Sequence, residues 1–162
     1  MFESKRTQEE RFKEAETLYD KDKCKKAFPL FESLANEGYV PAQIYMGACY
    51  LHGKGIKKNL TKAAEWFYKA AEQGDDEAQR YLGLCYFNGF GVTENYETAA
   101  EWYRKSAEQG NVHSQNLLGI CYYKGEGVPQ NFETAAQWFR KAVSQGDVSG
   151  RIWLDNLKRK GS

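Results

Sequence analysis

The sequence predicts an all-α protein, a solenoid of about nine helices stacked as hairpins, and three observations carry that prediction. The stretch Gly74 to Gln109 matches the next 36 residues, Gly110 to Gln145, at 18 positions, and matches the preceding 36, Gly38 to Gln73, at 18 as well. A fixed period of this length marks an array in which each unit buries its apolar face only against its neighbours. Within each period, apolar residues recur at helical spacing in two blocks. Glycines punctuate both blocks at the same phase, Gly53/Gly55, Gly89/Gly91 and Gly125/Gly127 after the first, Gly74, Gly110 and Gly146 after the second.

In chain order, residues 1–38 read as a capping hairpin, 39–74, 75–110 and 111–146 as three full repeats, and 147–162 as a terminal capping helix, together one solenoid domain. In the cap, Phe12, Ala15, Leu18 and Tyr19 mark one helix and Ala27, Leu30, Phe31, Leu34 and Ala35 a second, joined by a shortened turn. Pro29 would cost about 3 kcal/mol in a helix interior, so this second helix is expected to begin near Lys26 or to kink. In the full repeats, helix A covers Pro41–Leu51, Glu77–Phe87 and Ser114–Tyr123, entered from Asp75, Asp76 or Asn111. Helix B follows Asn59, Asn95 and Asn131, each a good N-cap, and stops at the C′ glycines. The last helix, from Val148 to about Lys160, sets Ile152, Trp153, Leu154 and Leu157 against a polar back.

Gly47, Gly83 and Gly119 fall inside helix A, where glycine costs about 1 kcal/mol relative to alanine. A cost repeated at one phase implies a close backbone approach, and the alanine pairs Ala63-Ala64, Ala99-Ala100 and Ala135-Ala136 are the expected counterpart. Tyr50, Tyr86, Tyr122 and Trp66, Trp102, Trp138 would fill the wider ends.

Charge is nearly balanced, 23 Lys+Arg against 22 Asp+Glu, so no overall basic field gathers nucleic acid or anionic lipid. The first residues hold no apolar run suited to a signal peptide, and no stretch approaches the roughly 18 apolar residues of a membrane span. A cytoplasmic protein with no membrane and no nucleic-acid partner is expected. Cys49, Cys85 and Cys121 stand one period apart, too far for bridging between equivalent helices, and read as small buried apolar residues. Cys24 lies outside the register and reads as the exposed thiol. His52 and His113 fall at different phases, and no His/Cys/Asp/Glu set has ligand spacing, so neither metal nor cofactor is expected. The repeated Gly-x-Gly reads as turn chemistry, since a phosphate loop follows a strand and is not repeated.

The pattern Ala-x-x-x-Leu-Gly-x-x-Tyr-x-x-Gly-x-Gly-Val-x-x-Asn-x-x-x-Ala-Ala-x-Trp resembles the Sel1-like repeat, a 36-residue relative of the tetratricopeptide repeat. It covers Gly38 to Gly146, with Met46 for Leu, Ile56 for Val and Ser114 for Ala as mild departures. The resemblance implies a right-handed α-solenoid that binds other proteins, with helix A lining a concave face. Some bacterial members of the family carry a disulfide within each repeat; one cysteine per repeat leaves no such pairing here.

Counted from the helix A glycine, that face would carry Leu51, Phe87 and Tyr123 with Tyr19 as an aromatic ladder, then Leu84 and Ile120, then Ile44, Arg80 and Asn116, with His52, Asn88 and Lys124 at the edge. These twelve residues are the expected partner-binding groove for a peptide or folded protein. Core packing between adjacent A helices is the competing reading of the ladder. The expected function is that of a non-catalytic adaptor, most simply monomeric. Alternatives are an immunity protein that neutralises a toxin by direct binding, and a scaffold stacking end to end through Phe2, Phe12 and Trp153. The resemblance also raises β-lactam binding or hydrolysis, for which no Ser-x-x-Lys, metal set or paired acid and base is present.

Overall fold

The computed structural model of the chain describes residues 6–160. Among these the regular structure is helical throughout: α1 (Gln8–Asp20), α2 (Cys24–Asn36), α3 (Val40–His52), α4 (Leu60–Glu72), α5 (Asp76–Asn88), α6 (Tyr96–Glu108), α7 (Val112–Lys124), α8 (Phe132–Ser144) and α9 (Val148–Lys160). This is the all-α hairpin repeat that the period implies. The chain divides into two compact units, Met1–Gln73 with α1 to α4 and Gly74–Ser162 with α5 to α9. Within each unit, every helix packs against the next in sequence.

Helix boundaries follow local side-chain chemistry. The Oδ1 atoms of Asn59, Asn95 and Asn131 accept the backbone N–H of Lys62, Thr98 and Thr134 at 3.0, 3.0 and 2.9 Å and so start α4, α6 and α8. Asp75 and Asn111 cap α5 and α7 in the same way. Of the two aspartates considered for α5 the first is the cap, because Asp76 already belongs to the helix. Helix A therefore starts one or two residues earlier, and ends one later, than the spacing suggested. Gly53, Gly89 and Gly125 close α3, α5 and α7 in the left-handed conformation.

Helix α2 begins at Cys24 and runs through Pro29 without a break. Its apolar face, with Phe31 and Leu34 fully buried, holds the segment helical although Pro29 contributes no N–H, and Pro29 itself faces solvent. Cys24 is buried rather than exposed, its Sγ set against the Tyr19 carbonyl and Asp22 Oδ1. The other three thiols are buried as expected. Burial pushes Cys49 and Cys85 up to about 11 and Cys121 to about 12, so all three stay protonated and unreactive at neutral pH.

The closest approach at the helix A glycines is made by a ring, and of the alanine pairs only the Ala99 carbonyl also comes near, 3.3 Å from a β-carbon at Gly83. A β-carbon at Gly47, Gly83 or Gly119 would lie 2.5 Å from the ring of Phe67, Tyr103 or Phe139. The alanine pairs are buried too, but they let helix B approach; the residue after the tryptophan fills the gap. Each tryptophan instead lies under a lysine, with the ammonium of Lys69, Lys105 or Lys141 4.2, 4.0 or 4.1 Å from the ring centroid.

Tyr103 is the exception among the three rings in carrying a hydroxyl. That hydroxyl is buried with no hydrogen-bond partner, and burial raises its pKa. Tyr103→Phe matches the other two repeats and removes the unsatisfied group, and should raise stability by about 1 kcal/mol. A urea midpoint that falls on this change would show that the hydroxyl is satisfied after all.

Buried glutamines recur at the period as well. Gln73 donates to Gln43 Oε1 at 2.7 Å, Gln109 to Gln79 Oε1 at 2.8 Å and Gln145 to Gln115 Oε1 at 3.0 Å. Each pair ties the end of helix B to the first turns of helix A in its own repeat. In the second unit, Ser106 and Ser114, 2.6 Å apart, replace the alanines that stand at these positions in the other repeats.

In α9, Trp153, Leu154 and Leu157 are half-buried, but Ile152 is 59% exposed and does not join them. The inward face passes through Gly150, a β-carbon on which would lie 2.9 Å from the Phe139 carbonyl. That close approach sets the rotation of the helix and turns Ile152 outward.

Candidate functional site

In the second unit, α5, α7 and α9 leave an open groove of about 380 Å³. Glu77, Arg80 and Leu84 line it from α5, His113, Asn116, Leu117 and Ile120 from α7, and Ser149 and Trp153 from α9. Four of the expected site residues, Arg80, Leu84, Asn116 and Ile120, thus come together. The stripe continues one turn toward the helix N-termini, to Glu77, His113 and Ser149, instead of toward the C-termini. Helical spacing back from Arg80 and Asn116 points to this turn.

Arg80 is fixed in place. Its Nε and Nη2 donate to Glu77 at 3.1 and 2.5 Å, and its guanidinium lies 4.2 Å from the Tyr81 ring centroid. Burial opposes its charge, but the hydrogen bonds and charge of Glu77 outweigh burial and hold its pKa above the ordinary value. Glu77 is correspondingly lowered, first by the hydrogen bonds from Arg80. The pair is a neutral, oriented polar wall.

Asn116 forms the floor and is 8% exposed. Its Nδ2 donates to Asp147 Oδ2 at 2.7 Å, and the same oxygen accepts the Gly150 N–H at 2.7 Å. Burial would raise the Asp147 pKa, but these bonds prevail and lower it. The carboxylate also fixes the orientation of the Asn116 amide, since the flipped form would set oxygen against oxygen. Asn116 Oδ1 is left buried with no hydrogen-bond partner.

The remaining expected residues lie outside this lining. Phe87 packs on Tyr96 and Tyr103, with centroids 5.0 and 6.4 Å away, and Tyr123 on Phe132 and Trp153 at 5.5 and 5.2 Å. Asn88 donates back to the Leu84 carbonyl at 2.9 Å, and Lys124 pairs with Glu126 at 3.7 Å. In the first unit, Tyr19 joins a cluster with Phe12, Phe31 and Tyr45, its ring 5.3 Å from that of Tyr45 and 5.0 Å from the Lys54 ammonium. Ile44 and Leu51 are half-buried on α3, and His52 is exposed at its end. Of the proposed stacking anchors, Phe12 packs 5.7 Å from Phe31 and Trp153 stacks 5.8 Å from Phe139, while Phe2 lies outside the described residues. Among the described residues no group of His, Cys, Asp and Glu could hold a metal ion, and no helix is long and apolar enough to cross a membrane.

The Sel1 repeat is matched at residues 40–75, 76–111 and 112–147. Among solved structures, a protective antigen present in uropathogenic Escherichia coli strains, displaying an SLR fold, superposes with a TM-score of 0.91 at 29% identity, over 96% of this chain and 34% of that one. A Sel1 repeat protein from Oxalobacter formigenes gives 0.79 at 35% identity, over 84% of this chain and 56% of that one. Cysteine rich protein B of Helicobacter pylori gives 0.61 at 28% identity, over 72% and 89%. The chain thus spans about a third and just over half the length of the first two. No curated protein matches. With three matched repeats covering most of its length, and with the capped helices and ring-filled glycines that each repeat shows, this chain belongs to the Sel1 repeat family.

Proposed function

We propose that the second unit is a non-catalytic binding module that takes an extended segment of a partner protein along the α5, α7, α9 groove. Sel1 repeat proteins generally mediate protein–protein interaction. The observation that carries the reading for this groove is its lining, an apolar stripe drawn from three helices beside a fixed charged pair. Leu84, Leu117, Ile120 and Trp153 offer apolar contact to the side chains of a bound segment, and the Glu77–Arg80 pair offers polar contact at the wall. Apolar anchoring of a partner segment in a helix-lined groove is a known mode of peptide recognition.

Peptides selected by display against the intact protein test the reading. Ile120→Glu should weaken the selected peptides by about tenfold or more, as loss of a central apolar contact does. Selected peptides that bind Ile120→Glu and wild type alike would place recognition elsewhere.

A further inference from the structure

The net charge of +1 conceals a local imbalance in the first unit. The α1–α2 turn and the start of α2 carry Lys21, Lys23, Lys25 and Lys26, and the α3–α4 turn with the start of α4 carries Lys54, Lys57, Lys58 and Lys62, all exposed. Gly55 joins the two segments, pressed so closely on the Cys24 carbonyl that a β-carbon would overlap it. A cleft of about 510 Å³ lies where they meet, bordered by Lys23, Lys25, Lys26 and Lys54. A second, of about 280 Å³, is bordered by Lys57, Lys58 and Lys62 with Tyr50 and Ile56. Only Asp20 and Asp22 oppose these charges within the same segments. Among the described residues, none of the eight lysines is ion-paired with a carboxylate.

The fold does not require them. At the positions of Lys54, Lys57, Lys58 and Lys62 the second repeat has Phe90, Thr93, Glu94 and Thr98, and the third has Glu126, Pro129, Gln130 and Thr134. Lys54 and Lys62 lie 5.0 and 5.3 Å from the Tyr19 and Tyr50 ring centroids, but the placement of the charges is otherwise adverse to the fold. Lys25 and Lys26 sit in the first turn of α2, which has no acidic residue and no side-chain cap, and Lys62 sits in the first turn of α4. Positive charge is unfavourable at that end of a helix, and the lysines repel one another. A negatively charged partner would relieve both.

We propose that this lysine-rich end of the first unit is a second interaction surface, which takes an acidic protein segment whose carboxylates alternate with apolar side chains. The charges are spread over two clefts, which suits carboxylates distributed along a chain. Ile56, beside Lys57 and Lys58, is partly exposed and gives an apolar side chain a place to rest. The cluster holds no arginine, the residue suited to bidentate phosphate contact, and Tyr50 is too buried to stack on a base. A bilayer would find one partly exposed large apolar side chain on the rim of either cleft, too little for insertion.

Fluorescence anisotropy of a labelled peptide of alternating Glu and Leu, titrated with the intact protein, tests this. Binding is expected, weakening with added salt, and absent for the matching Gln and Leu peptide. Lys54→Glu/Lys57→Glu/Lys58→Glu should weaken it by about tenfold or more, while Ile120→Glu, in the other unit, should leave it unchanged. These lysines are exposed, so the variant should keep the wild-type circular dichroism. Equal binding of wild type and lysine variant would overturn the proposal. So would tighter binding of the wild type to oligothymidylate or to phosphatidylserine vesicles than to the acidic peptide.

Discussion

Phe139→Ala is expected to cost about 4 kcal/mol, the range found for emptying a fully buried aromatic site. The ring is 0% exposed. It covers Gly119, where a β-carbon would stand 2.5 Å away, and it lies nearly parallel to Trp153, at 8° and 5.8 Å. The cavity left behind would have glycine on one side, which has no side chain to move in, and an indole on the other. Urea denaturation followed by circular dichroism would measure the loss, and Trp153 fluorescence should shift to the red. Phe139→Leu keeps much of the volume and should cost about 1.5 kcal/mol at most. If alanine cost no more than leucine, the ring would not be the element that closes the α7–α8 hairpin.

Gly127→Ala should cost about 3 kcal/mol, from left-handed backbone and overlap together. Its φ is +73°, and a β-carbon there would run into the Tyr96 carbonyl and lie 2.8 Å from the Glu97 nitrogen. These atoms begin α6, which the Asn95 cap holds, so they cannot retreat as a side chain could. Gly146→Ala separates the two contributions. Its φ is +91° but nothing lies within 4 Å of the added carbon, so only the conformational cost of about 1 kcal/mol applies. Equal losses for the two variants would mean that the turn yields and that close packing contributes nothing at Gly127.

Helix starts were readable in the sequence because an asparagine cap is local: Asn59, Asn95 and Asn131 bond amides three residues on, and no distant residue is needed. The partner of the helix A glycines was not readable, because it depends on the rotation of helix B. Alanine pairs and the ring after tryptophan are both apolar, and spacing alone does not say which lies over the glycine. The same holds for the groove. Residues four beyond the helix A glycine sit just before the helix ends, where Phe87 and Tyr123 meet Tyr96 and Phe132 of the next helix. Arg80 and Asn116, two turns earlier, reach the opening. The lysine surface is hidden by summation, since a chain-wide balance averages its charges against acids elsewhere. Burial of Cys24 follows from its place at the first residue of α2, which the proline had obscured.

The glutamine pairs constrain how such a chain can grow. Both members, Gln79 and Gln109 for example, belong to one 36-residue block. Duplicating a whole block copies donor and acceptor together, so the number of repeats can change without leaving a buried amide unsatisfied. Unequal recombination at another spacing would strand one partner at a cost of about 1–3 kcal/mol, which makes the complete repeat the natural unit of gain and loss.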